Sequence, residues 1–155
     1  GLTGAETVLD LYCGTGTIGL VAARRGAARV IGVDSVPSAI RDAANNARHN
    51  GVENAEFVTQ DATAFMKELA ASEERSQPLV LLMDPPRAGS TPEFLEAATS
   101  LAPERIVYIS CNPATQARDV RQLVESGYEV RAVRPVDMFP HTDHVECVVR
   151  LDKMN

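Results

Sequence analysis

Thr7-Val8-Leu9-Asp10-Leu11-Tyr12-Cys13-Gly14-Thr15-Gly16-Thr17-Ile18-Gly19-Leu20 passes from an apolar run, through a glycine-rich turn, into a segment of helical composition. Thr7 to Tyr12 reads as a buried strand, Cys13 to Thr17 as the turn, and Ile18 to Arg25 as a helix ending before Gly26. Glycines in such a turn let backbone approach a ligand closely at a helix N-terminus. Asp34 closes a second strand, Arg29 to Val33, about 20 residues after the turn, where an acid can hold both hydroxyls of a ribose. Gly14, Gly16 and Gly19 fall as Gly-x-Gly-x-x-Gly only with Gly19 inside the helix, so spacing alone leaves a dinucleotide open. There is no Gly-Lys-Ser/Thr P-loop, which argues against a nucleoside triphosphatase.

Outward from this unit the alternation continues. Ser35 caps a helix that has Pro37 in its first turn and stops at Asn50-Gly51. Ala55 to Thr59 is a strand, and Gln60-Asp61 leads into a helix through about Ala71. Ser72 to Pro78 is a polar loop. Leu79 to Met83 is continuously apolar, as in a strand covered on both faces. A helix from Thr91 and Pro92, a strand from Arg105 to Ser110 and a helix from Asn112 to about Ser126 follow. Tyr128 to Val133 and Val145 to Leu151 have no helix between them and should pair antiparallel. The pattern predicts one α/β domain over 1–155. Its sheet is doubly wound and Rossmann-like, with seven strands, mostly parallel, the last antiparallel. In such sheets ligands bind outside the carboxyl ends of the strands. Asp10, Asp34, Asp61, Asp84 and Cys111 stand at those ends.

Cys111 lies in Val107-Tyr108-Ile109-Ser110-Cys111-Asn112-Pro113-Ala114-Thr115. Asn is a favoured N-cap and Pro a favoured first helical residue. The thiol therefore sits where a strand stops and a helix starts, a position that favours a thiolate and marks a candidate nucleophile. The plain alternative is a buried, inert cysteine. Asp84-Pro85-Pro86-Arg87 gives a stiff, extended exit from an apolar strand and holds a carboxylate over the neighbouring crevice. Asp61 can accept from an adenine amino group or simply cap its helix. Glu146 opens the last strand, with Cys147 on the opposite face; it is a candidate base or an ordinary surface acid.

Composition sets bounds on these readings. The chain has 155 residues, 45% hydrophobic and 23% charged, enough for a real core. No apolar run is long enough to span a bilayer. Cys13, Cys111 and Cys147 are an odd number, which argues for free thiols in a reducing, cytoplasmic setting. No Cys/His spacing suggests a metal site. The net charge of −6 counts against a stand-alone nucleic-acid binder.

Four stretches together resemble the catalytic domain of the S-adenosylmethionine-dependent RNA uracil-5-methyltransferase family. They are Leu9 to Leu20, Asp84-Pro85-Pro86-Arg87-Ala88-Gly89, Ser110 to Thr115 with Ala117-Arg118-Asp119, and Asp137-Met138-Phe139-Pro140-His141-Thr142 with His144-Val145-Glu146. The resemblance implies Cys111 as nucleophile, Glu146 as base and Asp84 beside the target base. It implies Tyr12, Gly14, Thr17, Asp34, Asp61 and Asp84 around S-adenosylmethionine; Asp34 stands where the family commonly has Glu. It implies RNA as partner, most like the bacterial enzymes acting on 23S ribosomal RNA, with transfer RNA as the alternative. It also implies an upstream RNA-binding part, often OB-like, and a Gln-containing segment completing the cofactor pocket. This chain would then be the C-terminal part of a longer protein, and its binding and activity on its own would be weak. Two rivals remain at this stage. An amino-group methyltransferase would carry an aromatic where Arg87 stands, and a non-catalytic nucleotide-binding module would leave Cys111 and Glu146 without a task.

Overall fold

A computed structural model describes residues 1–72, 78–138 and 140–155. The expected loop over Ser72 to Pro78 therefore lies, for 73–77, outside the described residues, as does Phe139. The strands are β1 (Thr7–Leu11), β2 (Arg29–Asp34), β3 (Ala55–Thr59), β4 (Leu79–Met83), β5 (Arg105–Ser110), β6 (Tyr128–Val136) and β7 (Glu146–Lys153). The helices are α1 (Thr17–Arg24), α2 (Pro37–His49), α3 (Ala62–Ala71), α4 (Pro92–Ser100) and α5 (Pro113–Glu125). All seven strands form one sheet in the order β3-β2-β1-β4-β5-β7-β6. β1 to β5 pair in parallel, and β7 runs antiparallel to both β5 and β6. The expected α/β architecture is thus observed.

Strand alternation assigns two cores. Leu9, Leu11, Leu81, Met83, Ile106 and Tyr108 face one side, where Met66 of α3, Phe94 and Leu95 of α4 and Leu123 of α5 cover them. Val8, Val30, Val80 and Leu82 face the other side with Ala23 of α1. β4 is covered on both faces, as its unbroken apolar run requires. On β5 and β7 the residues facing the second side stay half-buried, because no helix covers that side there.

Helix starts follow local chemistry. Asn112 Oδ1 accepts from Ala114 N at 3.1 Å and Thr115 N at 3.5 Å, and Pro113 follows as first helical residue. Thr91 caps α4 through Phe94 N, and Asp61 caps α3 through Ala64 N. Ser35 does not cap α2. The N-cap is Val36, with no side-chain bond, because Asp34 Oδ1 already takes Val36 N at 2.9 Å and turns the chain there.

Gly19 packs α1 onto β1. A Cβ at this position would lie 2.7 Å from Asp10 Oδ2 and 3.0 Å from Val30 Cγ1. Both atoms belong to the centre of the sheet, so relief requires α1 to move. Gly19→Ala should therefore cost about 1–3 kcal/mol of stability, although alanine is the better helix former. Urea unfolding would show this as a lower midpoint at unchanged slope; a midpoint equal to wild type would contradict the packing described.

Candidate active site

The site builds from the carboxyl ends of β1, β2, β4 and β5 and the start of β7. Cys13 N donates to Val33 O, and Gly16 N donates back to Cys13 O, so the turn closes over the end of β2. Gly14 and Gly16 have φ of 54° and 81°, and Tyr12, with φ 62°, is held in the left-handed region despite its side chain. Its ring lies 5.3 Å from that of Phe94, centroid to centroid, which fixes the strained residue against α4. Gly16 is the N-cap of α1 and has no side chain to cap it, so the N-terminal face of the helix opens toward the turn. Asp34 braces the same turn: Oδ2 accepts from Gly14 N and Oδ1 from Val36 N, each at 2.9 Å. A carboxylate has about four acceptor positions, so two remain for a ligand. Thr17, the first residue of α1, is exposed beside them. Asp61 is exposed and serves as the α3 cap, the plainer of its two expected roles, with its second oxygen uncommitted in that cap.

Asp84 follows the last residue of β4, and its N–H reaches Leu11 O at 3.4 Å. Ser110 pairs with Cys147 in the antiparallel β5–β7 ladder. One step further along that register sets Cys111 opposite Glu146. The buried Ser110 hydroxyl accepts from Asn112 N at 3.0 Å, tightening the chain around Cys111. Cys111 and Glu146 are both half-buried, whereas Cys147 is buried in the core of the opposite face. Burial and then the Glu146 charge hold the Asp84 carboxyl above its ordinary range; the two acids stand at the ends of β4 and β7, the strands on either side of β5. Arg87 Nη2 donates to His144 Nδ1 at 2.8 Å, joining the segment after Asp84 to the one before Glu146. The structure therefore brings Cys111, Asp84 and Glu146 to one mouth and Tyr12, Gly14, Thr17 and Asp34 to the adjoining one.

A cavity of about 1250 Å³ lies elsewhere. It lies at the amino ends of the strands, lined by Ile31, Val58, Phe65 and Leu79, and holds none of these groups. Among the described residues no cluster of His, Cys, Asp or Glu is arranged to hold a metal ion, and no helix is long and apolar enough to cross a membrane.

A family model described as tRNA (Uracil-5-)-methyltransferase matches residues 3–154. The chain belongs to this family. It is 49% identical over 154 residues, 99% of its length, to an uncharacterized RNA methyltransferase of Halalkalibacterium halodurans. It is 50% identical over 155 residues to another from Bacteroides thetaiotaomicron. It spans about a third of the length of either relative, 33% in both cases. Among solved structures it is similar to the Pyrococcus abyssi tRNA (uracil-54, C5)-methyltransferase in complex with S-adenosyl-L-homocysteine. The TM-score is 0.78 at 39% identity, covering 94% of this chain and 34% of that one. The cyclase SpnF, at 13% identity and a TM-score of 0.75, shares the fold alone.

Within this domain, the buried partners of Gln116 and Asp119 went unread in the sequence. Gln116 Nε2 donates to Tyr108 O at 2.9 Å and Cys147 O at 3.0 Å, tying α5 to both β5 and β7 beside Glu146. Asp119 accepts from Ser90 N and from the Tyr108 hydroxyl, each at 2.7 Å. The signal was their placement: 116, 119 and 123 recur at helical spacing on the buried stripe of α5, with polar residues where apolar ones belong.

Asp10 is the most perturbed acid near the site. Burial pushes its carboxyl up from an ordinary 3.8 to about 6; the Gly19 N–H pulls it down, and the charges of Asp84 and Asp34 push it up further. The folded value exceeds the unfolded one, so the folded protein binds more protons between them and stability falls as pH rises from about 4 to about 6. Above about 6 this loss is complete. Asp10→Asn keeps an oxygen for Gly19 N and removes the titration. Relative to this variant, wild type should lose about 3 kcal/mol across that window. Denaturant midpoints of both proteins at pH 4, 5, 6 and 7 test it, and parallel profiles would contradict the assignment.

Proposed function

We propose that this domain transfers a methyl group from S-adenosylmethionine to carbon 5 of a uridine in RNA, through a covalent adduct with Cys111. The observation that carries the reading is the convergence of Cys111, Asp84 and Glu146 at the end of β5, next to a glycine turn braced by Asp34. Residues of the turn fit a nucleoside sulfonium. The side-chain-free N-cap of α1 admits close approach, and Asp34 keeps two acceptor positions for ribose hydroxyls. Tyr12, Gly14, Thr17, Asp34 and Asp61 would hold the cofactor, with Asp84 between it and the base. When bound, the cofactor supplies an electrophilic methyl carbon.

Carbon 5 of uracil is a poor nucleophile. The Cys111 thiolate adds to carbon 6, and the electron pair of the 5,6 double bond moves into the ring enolate. Carbon 5 would then bond to the methyl carbon as the sulfonium carbon–sulfur bond breaks, leaving a neutral thioether. Glu146 removes the carbon 5 proton, the double bond re-forms and the carbon 6–sulfur bond breaks, returning the thiolate. Asp84, with its carboxyl held above the ordinary range, suits hydrogen bonding to the uracil edge. Cys13 takes no part: burial and the charges of Asp10 and Asp34 push its thiol up to about 12, so it stays protonated. The target base must leave its stack, which single-stranded loops permit most easily.

The substrate read from the sequence is 23S ribosomal RNA, with an RNA-binding part upstream in the whole protein. Transfer RNA is a second reading, favoured by the Pyrococcus abyssi enzyme, whose described target is uracil 54 of tRNA. Mass mapping of methylated uridines in both RNA classes, from cells lacking the full-length protein, decides between them.

The chemistry is tested on the full-length protein with RNA carrying 5-fluorouridine. Carbon 5 then has no proton to lose, so the protein should be trapped on RNA through Cys111, and Cys111→Ala should abolish trapping. On ordinary RNA, Glu146→Gln should accumulate the adduct and release product slowly. Trapping that survives Cys111→Ala overturns the mechanism. Normal turnover of Glu146→Gln removes Glu146 as the base.

Asp34→Asn should weaken S-adenosylhomocysteine binding about tenfold or more, the cost of one charge-assisted hydrogen bond of about 1.5–3 kcal/mol. Titration calorimetry measures this, and unchanged affinity would remove Asp34 from the ribose.

A further inference from the structure

The segment carrying Asp84 and Arg87 does not rest on the sheet alone. Gly89 N closes a turn on Pro86 O at 2.8 Å, and the outward polar groups of that turn are met by side chains of one helix, α5, and its cap. Asn112 Nδ2 and Thr115 Oγ1 donate to Arg87 O at 3.2 and 3.1 Å. Arg118 Nη2 donates to Ala88 O and Ser90 O, each at 3.1 Å. Asp119 Oδ2 accepts from Ser90 N and the Tyr108 hydroxyl, and its Oδ1 from Arg118 Nε and Nη2 at 2.9 and 2.7 Å. Gly89, at φ 78°, lies so close that a Cβ would stand 2.7 Å from Arg118 Nη2 and 2.8 Å from Asp119 Oδ2.

Core stability does not require this arrangement. Asp119 is 1% exposed, and sealing a carboxylate there costs desolvation that well-packed apolar side chains would avoid. What the carboxylate yields is geometry. The helix whose cap follows Cys111 also grips, two turns on, the segment that presents Asp84. We propose that Arg118 and Asp119 are positioning residues for base attack: they fix the 84–90 segment against α5, and so set Asp84 and Arg87 relative to the Cys111 thiol. The proposal deepens the methyl-transfer reading above and rests on it for its effect on adduct formation.

The gripped segment ends in a trypsin site, Arg87–Ala88, which supplies a readout independent of chemistry. The full-length protein is compared with Asp119→Asn and with Arg118→Ala, the latter half-exposed and tolerant of folding if the former is not. Under native conditions both variants should be cut after Arg87 at least about tenfold faster, because cleavage follows local opening. With in-vitro transcribed RNA carrying 5-fluorouridine and saturating S-adenosylmethionine, adduct should form about ten- to a hundredfold more slowly, as misplacement of about 1 Å suffices for this. Affinity for S-adenosylhomocysteine, bound at the far turn, should not change. A merely structural role would lower melting temperature and cofactor affinity together and leave adduct formation per folded molecule untouched. That result, or wild-type cleavage after Arg87 in Arg118→Ala, overturns the proposal. If the unaltered protein forms no adduct at all, the methyl-transfer reading fails instead, and the cleavage rates alone decide whether the grip exists.

Discussion

The hydrogen bond from Gly19 N to Asp10 Oδ2, 2.8 Å long, joins the first helix to the central strand where neither has room for a substitute. Asp10 stands opposite Gly32 of β2 in the ladder, and a Cβ at Gly32 would meet the Phe57 ring at 2.5 Å and Cys13 Sγ at 3.1 Å. Two glycines and one acid thus define how closely α1 and the turn lie on the sheet. From this contact the rest of the cofactor side follows. The turn reaches Asp34, Asp34 turns the chain into α2, and Tyr12 is left in its strained conformation against Phe94. The carboxylate is 2% exposed and accepts one amide for its lost water, a local conflict of the kind proteins keep at functional sites.

Much of this was legible because strand ends announce themselves. Apolar runs of four or five residues stop at Asp34, Asp84 and Ser110, and each stop is followed by a turn or helix-start signal. The antiparallel closure by β7 was legible because no helical stretch separates the last two strands. Ser35 misled because its propensity to cap is local, whereas Asp34, one residue earlier, accepts from Val36 N and turns the chain so that the helix starts one residue later. The grip of α5 was hidden for a different reason. Arg118 and Asp119 stand in the sequence as part of the family resemblance, but their partners stay hidden until the turn at Gly89 is known to lie on top of them. Pairing across thirty residues leaves no trace in local composition.

Acids crowd the carboxyl end of the sheet, and their mutual repulsion divides the labour. Asp10 is pushed up by Asp84 and Asp34 as well as by burial, and Asp84 by Glu146. Burial, and then the charges of Asp10 and Asp34, keep Cys13 protonated. Cys147 is set apart by burial in the opposite core. Cys111 is half-exposed directly before a capped helix. Three thiols of one type therefore have three environments.

For the RNA substrate proposed above, a net charge of −6 is unfavourable, but range decides how much this matters. At physiological salt the screening length is about 8 Å, so acids on the far side of the sheet contribute little at the mouth of the site. At the mouth itself Asp84 and Glu146 stand beside Arg87. Arg87 Nη2 lies 2.8 Å from His144 Nδ1, and among the described residues it forms no ion pair with a carboxylate. Because α5 holds the Arg87 carbonyl through Asn112 and Thr115, the guanidinium swings from an anchored backbone. On the RNA reading proposed above, that anchored side chain would be the one to meet a phosphate beside the thiol, with the backbone that follows Asp84 already held by α5.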